Sequence, residues 1–129
     1  MKMKVYCCGC GTDVEARLTS GAEIYPHRTD LAKLPFWICD ACLNYVGCHH
    51  KTENPTNPLG NIPTKEIRNA RNHIHRILDP IWRSGRLNRK ALYARLTRKL
   101  GWTYHTGSIK SVDEAREVYR AIKEIAKDV

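Results

Sequence analysis

Six cysteines, at positions 7, 8, 10, 39, 42 and 48, all fall in the first half of this 129-residue chain. Cys7-Cys8-Gly9-Cys10-Gly11 and Cys39-Asp40-Ala41-Cys42 are two Cys-x2-Cys pairs separated by 28 residues. Zinc takes four thiolate or imidazole ligands in a tetrahedron. A Cys-x2-Cys turn presents two sulfurs from one tight loop, and Gly9 and Gly11 let the backbone fold around an ion. The expectation is one structural Zn2+ held by Cys7, Cys10, Cys39 and Cys42. Disulfides would require an oxidising compartment, and the basic opening Met-Lys-Met-Lys lacks the apolar stretch of a secretory signal. A thioredoxin-like redox pair could use one Cys-x2-Cys, but two pairs in one small chain favour metal. Cys8 could replace a neighbour or sit beside the site. Cys48-His49-His50 could offer a further ligand or a second site, although adjacent residues rarely point at one ion. The simpler reading packs Cys48 and leaves His49 and His50 as polar surface.

A second constellation follows from Thr64, where apolar residues recur at three and four positions. Ile67, Ala70, Ile74, Ile77 and Leu78 mark the core face of a helix, and Glu66, Asn69, Asn72, His73 and Arg76 lie opposite. Arg68, Arg71, His75 and Asp79 fall within about 80° of one another at the border, given ~100° per residue. Together with His49 these four could form an acid–base and phosphate-holding site, or a structural network. A third group is purely basic. Arg83, Arg86, Arg89 and Lys90 lie on or beside the Ser84-Gly85 turn, and Arg95, Arg98 and Lys99 share the exposed side of the next helix. They could follow a phosphate backbone, with Trp82, Trp102 and Tyr104 available to stack on unpaired bases.

The elements needed to position these groups divide the chain. Val14, Ala16 and Leu18 alternate with Glu15 and Arg17 as a half-buried strand. Ser20-Gly21 is a turn, Ala22–Tyr25 reads as the returning strand, and Phe36-Trp37-Ile38 is extended. The expected class is α+β. Residues 1–50 form a zinc ribbon of short antiparallel strands, 51–63 a turn-rich linker, and 64–129 a basic three-helix half, all packed as one compact unit. The first helix should end or kink at Asp79-Pro80. Asn88–Leu100 is the second, with Gly101 as its stop, and Ser111-Val112-Asp113-Glu114 is a capping box opening the third. The roughly ten residues between the last two helices are too many for a helix-turn-helix, so major-groove reading is not expected.

Charged residues are 27% and hydrophobic ones 42%, a balance suited to a folded domain and not to disorder. No apolar run approaches the ~18 residues of a membrane span, so a cytoplasmic location is expected. The net charge of +9 is unevenly placed. Residues 1–61 carry six Lys/Arg against six Asp/Glu; residues 62–129 carry sixteen against seven. Such asymmetry points to a polyanionic partner.

In this order, Cys7-x2-Cys10-Gly11, Gly21-Ala22-Glu23-Ile24-Tyr25-Pro26, Phe36-Trp37-x-Cys39-x2-Cys42, Tyr45-Val46-Gly47-Cys48-His49, Pro58-Leu59-Gly60 and Arg68-x2-Arg71-x3-His75-x3-Asp79-Pro80-x-Trp82 form a recognisable series. The series resembles an uncharacterised family of zinc-finger-containing proteins from phages, prophages and bacterial mobile elements. The resemblance spans most of the chain. It implies that Cys7, Cys10, Cys39 and Cys42 bind zinc, that His49 and the Arg-Arg-His-Asp stripe belong to the family pattern, and that the setting is a phage or mobile element. Cys8 and His50 depart from that pattern, and the resemblance implies no activity.

Three functions are compatible with these features. The preferred one is a non-enzymatic zinc protein binding DNA or RNA through its basic helical half. A host-directed module could use the same surface against an acidic protein, inhibiting a defence or transcription complex. A nuclease-like enzyme would use His49, Arg68, Arg71, His75 and Asp79, but the lone carboxylate argues against a two-metal site.

Overall fold

A computed structural model describes all residues, 1–129. The fold is α+β: four antiparallel strands with a four-cysteine cluster, followed by helices. The chain divides into two compact units, Met1–Lys65 and Glu66–Val129.

The first unit is a sheet of order β1-β2-β3-β4, built from β1 (Lys2–Cys7), β2 (Thr12–Ser20), β3 (Pro35–Ile38) and β4 (Tyr45–Gly47). Strand alternation places one set of side chains on a single face. Val5 pairs with Val14, Trp37 with Leu18 and Val46, and these residues line the apolar face with Ala16, Cys7 and Cys48. Trp37 is fully buried, and its indole N–H donates to the Thr56 carbonyl at 2.6 Å. Residues 51–63 fold back against this sheet. Ile62 is fully buried in the same core, its N–H donates to the Tyr6 carbonyl, and its own carbonyl accepts from Cys8 N–H. Leu59 N–H donates to Gly47 and His49 N–H to Asn57, which covers the outer edge of β4.

The expected returning strand at Ala22–Tyr25 does not form. Gly21–Ile24 is a single helical turn, α1, and the strand that pairs back onto β2 is β3. The reason lies in Gly21, whose N–H donates to the Leu34 carbonyl and whose missing Cβ would lie 1.8 Å from the Leu31 carbonyl oxygen. Chain crossing this closely requires glycine and turns the backbone out of the sheet. The turn also brings Glu23 to Arg17 on β2, which simultaneously holds Asp40 beside the second knuckle, at 3.0 Å and 2.9 Å respectively.

The second unit packs α2 (Lys65–Arg83), α3 (Arg89–Leu100) and α4 (Val112–Lys127). Ile74, Leu78, Ile81, Leu92, Leu96, Val118, Ile122 and Ile125 form its core together with Ile109 from the loop before α4. The Asn88 side chain caps α3 by accepting from Ala91 N–H at 2.8 Å, and Gly101 ends it at φ 83°. Ser111 caps α4 by accepting from Glu114 N–H. Of the end or kink expected at Asp79-Pro80, the end does not occur: α2 runs through Pro80 to Arg83. The lost N–H bond is offset by packing: Ile81 is buried in the core, and Trp82 donates its indole N–H to Asp79 across the proline at 3.1 Å.

Candidate metal centre and basic surfaces

The four cysteine sulfurs of Cys7, Cys10, Cys39 and Cys42 all lie within 4.8 Å of one another. The shortest approaches are 3.4 Å for Cys7 to Cys42 and 3.7 Å for Cys10 to Cys39. A tetrahedral zinc with Zn–S of about 2.3 Å separates its sulfurs by about 3.8 Å, so the cage already has the size of the ion. The contacts are too long for disulfides, whose S–S distance is about 2.05 Å.

Each pair sits on a loop of the same construction. In the first, Gly11 N–H donates to the Cys7 carbonyl at 2.8 Å and Gly11 takes φ 71°. In the second, Leu43 N–H donates to the Cys39 carbonyl at 2.7 Å and Leu43 takes φ 65°, the one left-handed residue in the chain that is not glycine. The first sulfur of each loop also faces backbone donors. Burial pushes the Cys7 thiol up to about 12, opposed by the N–H groups of Cys10 and Gly9. At Cys39 burial again raises the pKa, but the N–H groups of Cys42 and Ala41 and the neighbouring thiols bring it below the ordinary thiol value. The hydrogen bond with the Cys39 thiol raises the Cys10 pKa. Such N–H groups would partly compensate the negative charge that four thiolates bring to one ion. Gly9 serves a separate purpose: a Cβ there would come within 2.6 Å of the Asn44 side chain and 3.5 Å of the Cys42 sulfur.

The remaining thiols lie outside the cage. Cys48 is buried in the sheet core, and burial raises its pKa. Cys8 is half-buried, with its backbone N–H on Ile62. His49 donates its N–H to Asn57, its carbonyl accepts the Thr52 hydroxyl, and the His50 ring lies against the Cys48 carbonyl. The cage of four cysteines is the sole group of three or more metal-ligating side chains brought together in the fold.

A family model for the zinc-finger-containing domain DUF3268 matches residues 3–128. The chain belongs to that family. No curated protein and no solved structure matches the chain significantly. The family and the cage agree on one zinc ion held by four cysteines, a closed set with no open position for substrate, which is the arrangement of structural sites. No helix is long and apolar enough to cross a membrane.

The α2 stripe mixes buried and partly exposed polar groups. Arg71 is buried and donates Nε and one terminal nitrogen to the Ile109 carbonyl at 3.2 and 2.6 Å, which ties α2 to the loop before α4. The Asp79 carboxylate accepts from Trp82 at 3.1 Å and faces His75 Nδ1 at 3.4 Å. Arg68 is half-buried on the same helix. His49, the fifth residue of the catalytic set, lies in the first unit.

The basic residues separate into two groups. Arg83, Arg86, Arg89 and Lys90 are exposed around the α2–α3 turn, where Arg83 covers the Trp82 ring at 5.2 Å and Arg89 the Tyr93 ring at 4.6 Å. On α3, Arg95 pairs with Asp128 at 3.7 Å and Lys99 with Glu124 on α4; with Arg98 they line a cleft of about 320 Å³. Lys99 holds the Glu124 carboxyl below its ordinary value. Of the three aromatics expected to stack on bases, Tyr104 is buried, with its hydroxyl on Thr106 at 2.6 Å, and is unavailable. Trp82 and Trp102 are half-buried against the helical core. Arg116, Arg120, Lys123 and Lys127, outside the basic set expected from sequence, stand exposed along α4.

Proposed function

We propose that the protein binds nucleic acid through its helical unit, while the zinc centre holds the fold of the first unit. One observation carries this reading: Glu66–Val129 holds fifteen Lys/Arg against seven Asp/Glu, and no acidic residue interrupts residues 80–112. Single-sign fields of this kind raise the local concentration of polyanions and steer their approach. Arg83, Arg86, Arg89 and Lys90 meet phosphates at the turn. Arg98 joins them along α3, whereas Arg95 and Lys99 are partly neutralised by α4 carboxylates. Phosphate contact without an element shaped for the major groove implies modest sequence preference. The α2 stripe acts as scaffold, since Arg71 is committed to a buried carbonyl and Asp79 to an indole N–H. The phage or mobile-element setting implied by the motif resemblance, and the cytoplasmic location expected from the absence of a long apolar run, suit such a protein.

The test is direct titration of the zinc-loaded chain with labelled single-stranded DNA, duplex DNA and RNA. It is run at low and physiological salt, with and without magnesium. The expected result is salt-sensitive binding of intact probes. Cleaved probes would replace this reading with an enzymatic one. Binding to no probe, with capture by an acidic protein, would replace it with the host-directed module.

A further inference from the structure

Helix α4 sorts its charges by sign. Arg116, Arg120, Lys123 and Lys127 follow one another at spacings of four, three and four residues, and all four are exposed. At ~100° per residue they fall within about 60° of arc and extend over about 16 Å of helix. The acidic residues Asp113, Glu117, Glu124 and Asp128 occupy the adjoining flank. Two of them are spent within the fold, Glu124 on Lys99 and Asp128 on Arg95 of α3.

A merely solvated helix gains stability by placing opposite charges four residues apart. At that spacing this helix places mostly like charges, while Asp113/Arg116, Glu117/Arg120 and Glu124/Lys127 are opposite at three residues apart. Asp113/Glu117, Arg116/Arg120, Lys123/Lys127 and Glu124/Asp128 are all like-signed at that spacing, and Arg120/Glu124 alone is mixed. Two residues of the acidic flank pair with α3, whereas the one ion pair that the basic row makes within the fold is Arg116–Asp113 at 3.3 Å. At one edge of the row, the Tyr119 ring stacks on His73 of α2 at 5.7 Å, and the Lys123 ammonium lies 5.4 Å from the centre of that ring.

The geometry points to the outer face of α4 as a phosphate-binding strip, a second nucleic-acid contact surface beside the α2–α3 turn. Its four side chains can neutralise up to about four phosphates. This inference rests on the nucleic-acid reading and adds to it where the strand runs.

The experiment compares the zinc-loaded full chain with R116Q/R120Q/K123Q/K127Q and with R83Q/R86Q/R89Q/K90Q, which removes the same charge at the turn. Affinity for a labelled 20-base-pair duplex is measured from 50 to 200 mM salt, after thermal melting has checked each fold. The α4 variant is expected to lose up to about 3.6 from the log–log salt slope, at ~0.9 per phosphate. Should it fail to fold, Arg120→Gln and Lys123→Gln are each expected to reduce the slope by about 0.9. A wild-type slope in the α4 variants, with loss confined to the turn variant, overturns the strip and leaves the nucleic-acid reading standing. Absence of binding by the wild-type chain overturns both.

Discussion

The two knuckles share a backbone and differ at one residue, which yields a reciprocal pair of substitutions. Gly11 and Leu43 hold equivalent left-handed positions, at φ 71° and 65°. For a residue with a Cβ that conformation costs roughly 1–2 kcal/mol. Leu43 is 66% exposed, so removing its side chain sacrifices little apolar burial. Leu43→Gly therefore relieves the strain, while the added freedom of the unfolded chain takes back about 0.4–1 kcal/mol. The net expectation is stabilisation by about 0.5–1 kcal/mol. Gly11→Ala should change stability by a similar amount in the opposite direction, without a clash, because nothing lies within 4 Å of the new Cβ. Equilibrium urea unfolding at fixed free zinc reads both, as a shift in midpoint at unchanged slope. Destabilisation by Leu43→Gly, or indifference to Gly11→Ala, would refute the equivalence of the two loops.

Other positions give sharper contrasts. Gly21→Ala should cost about 1–3 kcal/mol in the same assay, the range for overpacking, because its Cβ meets the Leu31 carbonyl; a neutral result would contradict the close crossing. Arg71→Ala should destabilise the helical unit by about 1.5–3 kcal/mol, the worth of a charged hydrogen bond, whereas His75→Ala should lie within about 0.5 kcal/mol of wild type, as surface changes do; equal effects would show that the stripe is not organised around Arg71. Arg17 holds the Glu23 and Asp40 carboxyls below their unfolded values of 4.5 and 3.8. Because the folded pKa values are depressed, their contribution is present above those values and disappears as pH falls through the folded ones. Arg17→Gln should therefore flatten the decline of Tm below about pH 4.5, and an unchanged acid limb would contradict the pairing.

The zinc ligands were legible from spacing alone, because tetrahedral thiolate coordination leaves few ways to use two Cys-x2-Cys turns. Two helix ends were legible too: Gly101 and Ser111 act through local geometry that sequence records, whereas Asn88 caps the helix it was expected to begin. What failed was non-local. The Ala22–Tyr25 segment has strand-like residues, but the approach of Gly21 to Leu31 decides its shape, and that contact is invisible before folding. Pro80 signals a helix end or a kink, and burial of Ile81 with the Trp82–Asp79 bond carries α2 past it without an end. The basic row of α4 is present as a periodicity, but its significance depends on Glu124 and Asp128 facing α3. Tyr104 reads as available for base stacking because its burial comes from residues distant in sequence, in the core of the helical unit.

The zinc centre is tested most directly by metal stoichiometry, measured by native mass spectrometry on the intact chain and on single cysteine variants. One zinc per chain is expected in the wild type, in Cys8→Ser and in Cys48→Ala, with the ion lost or greatly weakened on substitution of Cys7, Cys10, Cys39 or Cys42. Loss of zinc from Cys8→Ser, or full retention after replacing any of the four, would contradict the closed four-cysteine site.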